Sequence, residues 1–259
     1  MKADPIIKRA IVIDKFNGRA YSALSPHYEH LVKGEEYEKW AEFVLNKIKT
    51  YSPTAVGADV ACGSGYFTRA IKGKGYDVFG YDISDEMLSE ARTLSAKRGQ
   101  YIEFISGDLI RFKSFKKLGF ITVINDGFNY IPPENIEKAF SAAYKNLVKG
   151  GLFLFDISSE YKLKNVIANN VFSVDEEDFT YIWFNSLCDG FVKMDLTFFE
   201  KEGNLYRRKD ETHVQYIHKM SDIEDKLKSV GFDIKEISGI NGEKVDEKSE
   251  RICFIAVKK

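Results

Sequence analysis

The sequence predicts an α/β fold: a Rossmann-like, doubly wound mixed sheet of seven strands, with an antiparallel β insertion after the fifth. Three observations carry that expectation. Five short apolar runs alternate with helix-period segments up to Ile157, which is the rhythm of a parallel sheet with crossover helices. A glycine turn, Cys62-Gly63-Ser64-Gly65, follows the first of these runs, at the strand end where open α/β sheets take their ligands. The rhythm then breaks between Ile157 and Ser221, where apolar residues recur at every second position, as on a half-buried antiparallel strand.

Each element has a local cause. Pro5, Gly18 and Pro26 punctuate residues 1–30, which carry no clear period. Tyr37, Trp40, Ala41, Val44, Leu45 and Ile48 recur at helical spacing, and Ser52-Pro53 closes that helix. Ala55 to Cys62 reads as the first strand. The helix after Gly65 carries Phe67, Ala70 and Ile71, and Gly73 and Gly75 stop it. Asp77 to Asp82 is the second strand. Ser84 caps the next helix, with Asp85 and Glu86 in its first turn, where acids suit the helix dipole. Ile102 to Ile105 is the third strand and Phe120 to Asn125 the fourth. Pro133 opens a helix whose stripe is Ile136, Ala139, Phe140, Ala143, Tyr144 and Leu147, ended by Gly150-Gly151. Leu152 to Ile157 is the fifth strand.

In the insertion, Phe179, Tyr181 and Trp183 alternate, as do Val192, Met194 and Leu196, and Glu202-Gly203-Asn204 has the composition of a hairpin turn. Ser221-Asp222-Ile223-Glu224 reads as a capping box for a last helix. Phe232–Ile237 and Arg251–Val257 are the final strands. The expected division is therefore a helical segment plus α/β core over residues 1–157, an antiparallel β insertion over 158–220, and the rest of the core over 221–259.

Composition narrows the function. The chain has 259 residues, is 44% hydrophobic and 30% charged, and carries a formal net charge of -1. That balance gives no general attraction to nucleic acid or anionic membranes. Residues 158–220 hold eleven Asp/Glu against eight Lys/Arg, so the insertion is not a basic platform for RNA. No run is long and apolar enough to span a bilayer, and residues 1–9 lack the apolar core of a signal peptide. Cys62, Cys188 and Cys253 form no CxxC and no disulfide framework. A cytoplasmic protein, monomer or homodimer, is expected, with neither nucleic acid nor membrane as partner.

The glycine turn alone leaves two cofactor classes open. A dinucleotide site wants a third glycine where this chain has Thr68, and Asp82 at the end of the second strand suits the ribose of either class. The neighbours discriminate. Asp59, just before the glycines, would repel a pyrophosphate and attract an ammonium. Asp108, ending the third strand, can accept from an adenine amine. Three carboxylates at three successive strand ends suit a ligand with a cationic end, a ribose and an adenine, and S-adenosylmethionine has all three.

On these residues the chain resembles the class I S-adenosylmethionine-dependent methyltransferases. The matching stretches are Asp59-Val-Ala-Cys-Gly-Ser-Gly65, Gly80-Tyr-Asp-Ile-Ser-Asp-Glu-Met-Leu88, Gly107-Asp108-Leu109, Asn125-Asp-Gly-Phe-Asn-Tyr130 and Leu147-Val-Lys-Gly-Gly151. Tyr37-Glu-Lys-Trp40, Phe155-Asp-Ile-Ser-Ser159, Leu196-Thr-Phe-Phe199 and Asp210-Glu-Thr-His213 extend the likeness to a bacterial small-molecule group, similar to glycine/sarcosine and amino-sugar N-methyltransferases. The resemblance implies transfer of a methyl group to a nitrogen or oxygen of a small acceptor, with S-adenosylhomocysteine as product.

It also implies roles. Asp59 would hold the methionyl ammonium through water. The backbone from Ala61 and Cys62 through Gly63 to Gly65 would approach the methionyl and ribose, and Asp82 would chelate the ribose hydroxyls. Ile83 and Met87 would sandwich adenine, and Asp108 with the Leu109 amide would read its edge. Asn125 and Asp126 would turn backbone carbonyls toward the sulfonium, and Tyr28 and Trp40 would close the site. His213 is the candidate base. His27 and His30 have ligand spacing but no supporting constellation, and His213 and His218, five apart, would face opposite sides of one strand, so no metal site is expected. The other readings are a nicotinamide-dependent oxidoreductase and a non-catalytic module that binds S-adenosylmethionine.

Overall fold

The computed structural model describes Tyr21, Ser25, Tyr28, Glu29 and residues 34–259. His27 and His30, and the punctuated stretch up to residue 20, lie outside the described residues. Two sheets organise the rest. Seven strands form the first: β1 (Val56–Val60), β2 (Asp77–Asp82), β3 (Phe104–Ser106), β4 (Leu118–Val123), β5 (Leu147–Ser158), β10 (Phe232–Ser238) and β11 (Arg251–Lys258), in the order β10-β11-β5-β4-β1-β2-β3. All neighbours are parallel except β11, which runs antiparallel between β5 and β10. The chain order reverses between β1 and β4, and such a switch point opens a crevice at the carboxyl ends of the strands.

Helices cover both faces. Helices α1 (Glu35–Tyr51) and α2 (Tyr66–Gly73) lie on one side, and α4 (Ile136–Asn146) and α5 (Met220–Val230) on the other, while α3 (Asp85–Lys97) follows β2. Strand side chains divide between the faces with period two. Phe153, Phe155 and Ile157 meet Phe140 and Leu227, whereas Leu152 and Leu154 meet Trp40, Val44 and Ile48. Because both faces are buried, the strands read as apolar runs rather than as alternation.

The insertion is a second, four-stranded antiparallel sheet in the order β6-β7-β8-β9: β6 (Val171–Asp175), β7 (Phe179–Cys188), β8 (Phe191–Glu202) and β9 (Leu205–Tyr216). The hairpin at 203–204 forms where its composition placed it, pairing Glu202 with Leu205. One face of this sheet packs Phe179, Val192, Met194, Leu196 and Phe198 over the π-helical turn Lys162–Ile167.

Three expectations need correction. The capping box at Ser221 does not form: α5 begins two residues earlier than such a cap would start it, with Lys219 at its N-cap and no side-chain cap bond. Strand β5 starts at Leu147, ahead of Gly150-Gly151, and a register shift between Leu118 and Phe120 of β4 absorbs the extra residues. His218 lies beyond the end of β9, so its side relative to His213 does not follow from strand alternation. It is buried and donates from Nε2 to the Phe128 carbonyl at 3.1 Å.

Candidate active site

Two cavities meet at the carboxyl ends of β1, β2 and β4. The first is lined by the turn Ala61–Ser64, by Asp82, Ile83 and Met87, by Gly107, Asp108 and Leu109, and by Asn125 and Ile131. The second is lined by Asp126, Ser158, Lys162, Arg251 and, from the antiparallel sheet, Tyr181, Trp183, Met194, Leu196, His213 and Gln215. Tyr21, Tyr28, Tyr37, Asn125 and Tyr130 line both. This tyrosine-rich wall is the junction between them.

The turn explains the first cavity. Gly63 has φ 54° and Gly65 φ 79°, conformations that L side chains rarely adopt. A Cβ on Gly63 would come within 3.1 Å of Met87 Cε, on the cavity wall. A Cβ on Gly65 would instead meet the Phe104 ring at 3.0 Å and Ala91 at 3.2 Å. Gly65 therefore faces the packing between α3 and β3 and is not on the cavity wall.

Asp82 is fixed by two backbone amides, accepting from Gly63 at 2.8 Å and Ser84 at 2.9 Å. Burial pushes its carboxyl above the ordinary value, and these amides pull against that shift. Each oxygen keeps a lone pair, so a vicinal diol at the cavity could still be chelated. Beside it, exposed Ile83 and buried Met87 give the wall an apolar face. Asp108 accepts from the Ile110 amide at 2.9 Å, which sets the 3-10 turn carrying Leu109. An acid between backbone amides, an apolar slot and a second acid across it match a ribose and an adenine. Burial pushes the Cys62 thiol well up, which leaves it no nucleophile.

Asp59 is elsewhere. It is 2% exposed, lies under the turn, and accepts from Thr68 Oγ1 at 2.6 Å and Thr122 Oγ1 at 2.8 Å. Desolvation raises its pKa to about 6, against the pull of these two hydroxyls. It is not on the cavity wall; Thr68, the residue in place of a third glycine, is its partner. Trp40 is also corrected: it is 2% exposed, packed against Phe67 in the core beneath α1, and lines neither cavity. Tyr37, one turn earlier, reaches both. Asp126 lines only the second cavity, with Asn125 at the junction.

The second cavity is a polar network. Asp156 on β5 accepts from the amides of Asn125 at 2.6 Å and Asp126 at 3.1 Å, and from Arg251 Nη1 at 2.7 Å. Arg251 also donates to Asn125 Oδ1 at 2.7 Å, and Asn125 Nδ2 donates to the Tyr28 hydroxyl at 2.7 Å. Burial alone would lower the Arg251 pKa, but Asp126 and Asp156 raise it above its ordinary value, so it stays charged. The network holds the loop after β4 in a costly shape. Asn125 has φ 72° and Asp126 φ 56°. Of the five described non-glycine residues with positive φ, four (Tyr21, Ala61, Asn125 and Asp126) line the cavities. Such strain is tolerated where the surroundings over-determine it.

His213 projects from β9 into the second cavity, 3.1 Å from both the Tyr130 hydroxyl (at Nδ1) and Glu211 (at Nε2). Glu29 ties the described part of the N-terminal segment to the turn, accepting from Ser64 Oγ at 2.7 Å and from buried Arg69 at 2.5 Å. Sequence reasoning passed over Tyr21, Glu211, Gln215, Asp156, Lys162 and Arg251. One signal was available: Glu211, His213 and Gln215 are two apart and so share a strand face. Nothing in the sequence pointed to Arg251. Among the described residues no cluster could hold a metal ion, and no helix is long and apolar enough to cross a membrane.

Comparison with known proteins agrees with this geometry. Residues 58–151 match the family model described as a methyltransferase domain. A Geobacillus sp. (strain WCH70) protein designated a methyltransferase is 30% identical over 92% of this chain and 99% of its own. YqeM of Bacillus subtilis (strain 168), with the same designation, is 28% identical over 92% of this chain and 97% of its own. The crystal structure of an S-adenosylmethionine-dependent methyltransferase from Clostridium acetobutylicum superposes with a TM-score of 0.83 at 32% identity, covering 92% of this chain and 98% of that one. The chain belongs to the class I S-adenosylmethionine-dependent methyltransferases, and S-adenosylmethionine is its cofactor.

Proposed function

We propose that the protein methylates a nitrogen or oxygen atom of a small-molecule acceptor, with the cofactor in the first cavity and the acceptor in the second. The observation that carries this reading is the shared wall: five residues line both cavities, so a donor in one and a nucleophile in the other would meet there. Bound S-adenosylmethionine supplies an electrophilic methyl group, whose bond to sulfur breaks as its bond to the acceptor forms and leaves a neutral thioether. The donor arrives activated, so the protein's main task is to position the two partners and keep water out.

The residues divide accordingly. Asp82 takes the ribose hydroxyls, Ile83 and Met87 the adenine faces, and Asp108 with the Leu109 amide the adenine edge. The backbone at Ala61, Cys62 and Gly63 lies along the methionyl and ribose. Asn125 and Asp126 offer their carbonyls, and Tyr28 closes the junction. Residues 158–220 form the acceptor-binding unit, and His213 is the base. A solved amino pentose methyltransferase, CalS10 from Micromonospora echinaspora, shares the fold (TM-score 0.70, 17% identity, 92% of this chain and 97% of that one), which is in keeping with an acceptor of modest size.

Isothermal titration tests the cofactor half: S-adenosylhomocysteine binds, and an absence of heat with either it or S-adenosylmethionine sinks the reading. Incubation of a metabolite pool with methyl-labelled cofactor tests the other half. Label appears in a small molecule; tight cofactor binding with label in no acceptor makes the protein a binding module instead.

A further inference from the structure

The side chains at the junction are connected. Tyr21 and Tyr130 hydroxyls are 2.7 Å apart, Tyr130 is 3.1 Å from His213 Nδ1, and His213 Nε2 is 3.1 Å from Glu211 Oε2. The line runs from the wall shared by both cavities to a buried carboxylate on the insertion sheet. His213 is 3% exposed and Glu211 7%. The Tyr21 ring lies edge-on to the imidazole at 4.7 Å, which holds it in place.

With a neutral imidazole the donors and acceptors allow one direction. A carboxylate only accepts, so His213 carries its proton on Nε2, toward Glu211. A neutral imidazole then has its lone pair on Nδ1, and Tyr130 must donate to it. With its proton committed, Tyr130 accepts at oxygen, and Tyr21 donates there. Tyr21 is left with oxygen lone pairs, on a residue that lines both cavities. Burial pushes the Tyr21 and Tyr130 hydroxyls above their ordinary range, so they keep their protons at neutral pH and can pass them on without holding charge. Gln215, on the same strand face as His213 and Glu211, also bonds Tyr130.

We infer that Tyr21, Tyr130, His213 and Glu211 form a directed proton relay that takes the proton of the acceptor away from the junction to the insertion sheet. This rests on the methyltransferase reading and adds to it that His213 does not itself touch the acceptor. As the acceptor's bond to the methyl carbon forms, its own proton passes to the Tyr21 oxygen. The Tyr21 proton passes to Tyr130 and the Tyr130 proton to His213 Nδ1, leaving an imidazolium against the Glu211 carboxylate. The sulfonium charge disappears as the imidazolium charge appears, so the net charge of the buried site is unchanged through the reaction. Tyr21 is the catalytic residue of this set; Tyr130, His213 and Glu211 act through it. The other charged groups lining the second cavity are Asp126, Lys162 and Arg251, of which Arg251 is paired with Asp156 and Asp126.

The test does not need the natural acceptor. Sinefungin carries an amine where the methyl group stands and would present its ammonium protons to Tyr21; S-adenosylhomocysteine carries nothing there. Nitrogen-15 NMR of histidine-labelled full chain, with the His213 signals assigned from His213→Gln, reads the imidazole in each complex. The expected result is the Nε2-protonated neutral form with S-adenosylhomocysteine, and with sinefungin a shift of the Nδ1 signal, as the ammonium bond to Tyr21 tightens the hydrogen bonds down the chain, that is lost in Tyr130→Phe. Glu211→Gln, a second variant should the first fold poorly, releases the fixed tautomer. An Nδ1-protonated imidazole, or signals that sinefungin does not move, overturns the relay. If neither nucleoside binds, the methyltransferase reading fails, while the tautomer in the free protein still decides the direction of the chain.

Discussion

In the first cavity, polar contacts come largely from main chain. Gly63 and Ser84 amides hold Asp82, and the Ile110 amide holds Asp108. In the second, they come largely from side chains reaching over long sequence separations: Arg251 to Asn125 and Asp156, Tyr130 to His213. A backbone-built site needs particular residues only where φ or a close approach demands them. A side-chain-built site depends on every partner, and removing one leaves another buried and unsatisfied. The first cavity is thus shaped by the geometry of strand ends, and the second by side chains drawn from two sheets.

Three substitutions probe that contrast, from the largest effect to the smallest. Trp40→Ala empties part of the core beneath α1 and costs about 3–5 kcal/mol of stability in denaturant titration. The folded fraction still binds S-adenosylhomocysteine as before; a specific loss of affinity without loss of stability would return Trp40 to the site. Asp82→Ala removes the acid that the Gly63 and Ser84 amides fix on the wall of the first cavity. At roughly 1.5–3 kcal/mol for hydrogen bonds to a charged group, affinity for S-adenosylhomocysteine falls about ten- to a hundredfold by calorimetry. An unchanged affinity would mean that main chain alone suffices in the first cavity.

Asp59→Asn gives the subtlest readout. The folded pKa of Asp59, about 6, lies above its ordinary value of 3.8. The folded chain therefore keeps this proton longer than the unfolded chain. The stability this adds is full below about pH 4 and is lost as the pH rises through about 6, with a slope of at most about 1.4 kcal/mol per pH unit. The asparagine variant loses this share of the slope in unfolding curves from pH 4 to 7 and keeps its cofactor affinity. A large fall in affinity would show that the carboxylate acts on the ligand through the turn after all.

The same contrast explains what could be read from the sequence. The α/β rhythm, the glycine turn and the acids at 82 and 108 were legible because strand ends and tight turns constrain which residues are possible. The insertion's alternation showed a sheet and its hairpin. Which of its side chains converge on the cleft depends on how that sheet packs on the core, and no local pattern encodes that. Arg251 opens a strand whose apolar run says only that it is buried, yet its guanidinium organises the second cavity. Trp40 and Tyr37 share a helix and a residue class, and only packing separates the one that reaches the cleft from the one that does not. Asp59 looked like a ligand group because charge was weighed without burial.

Arg251 also bears on how the protein is made. During synthesis β1 to β5 and the whole insertion precede β11, the strand that inserts between β5 and β10. Until it arrives, Asp126 and Asp156 face each other without the guanidinium that offsets their repulsion. The ion pairs that fix the loop after β4, with Asn125 and Asp126 in their left-handed conformations, are therefore completed only by the last strand of the chain.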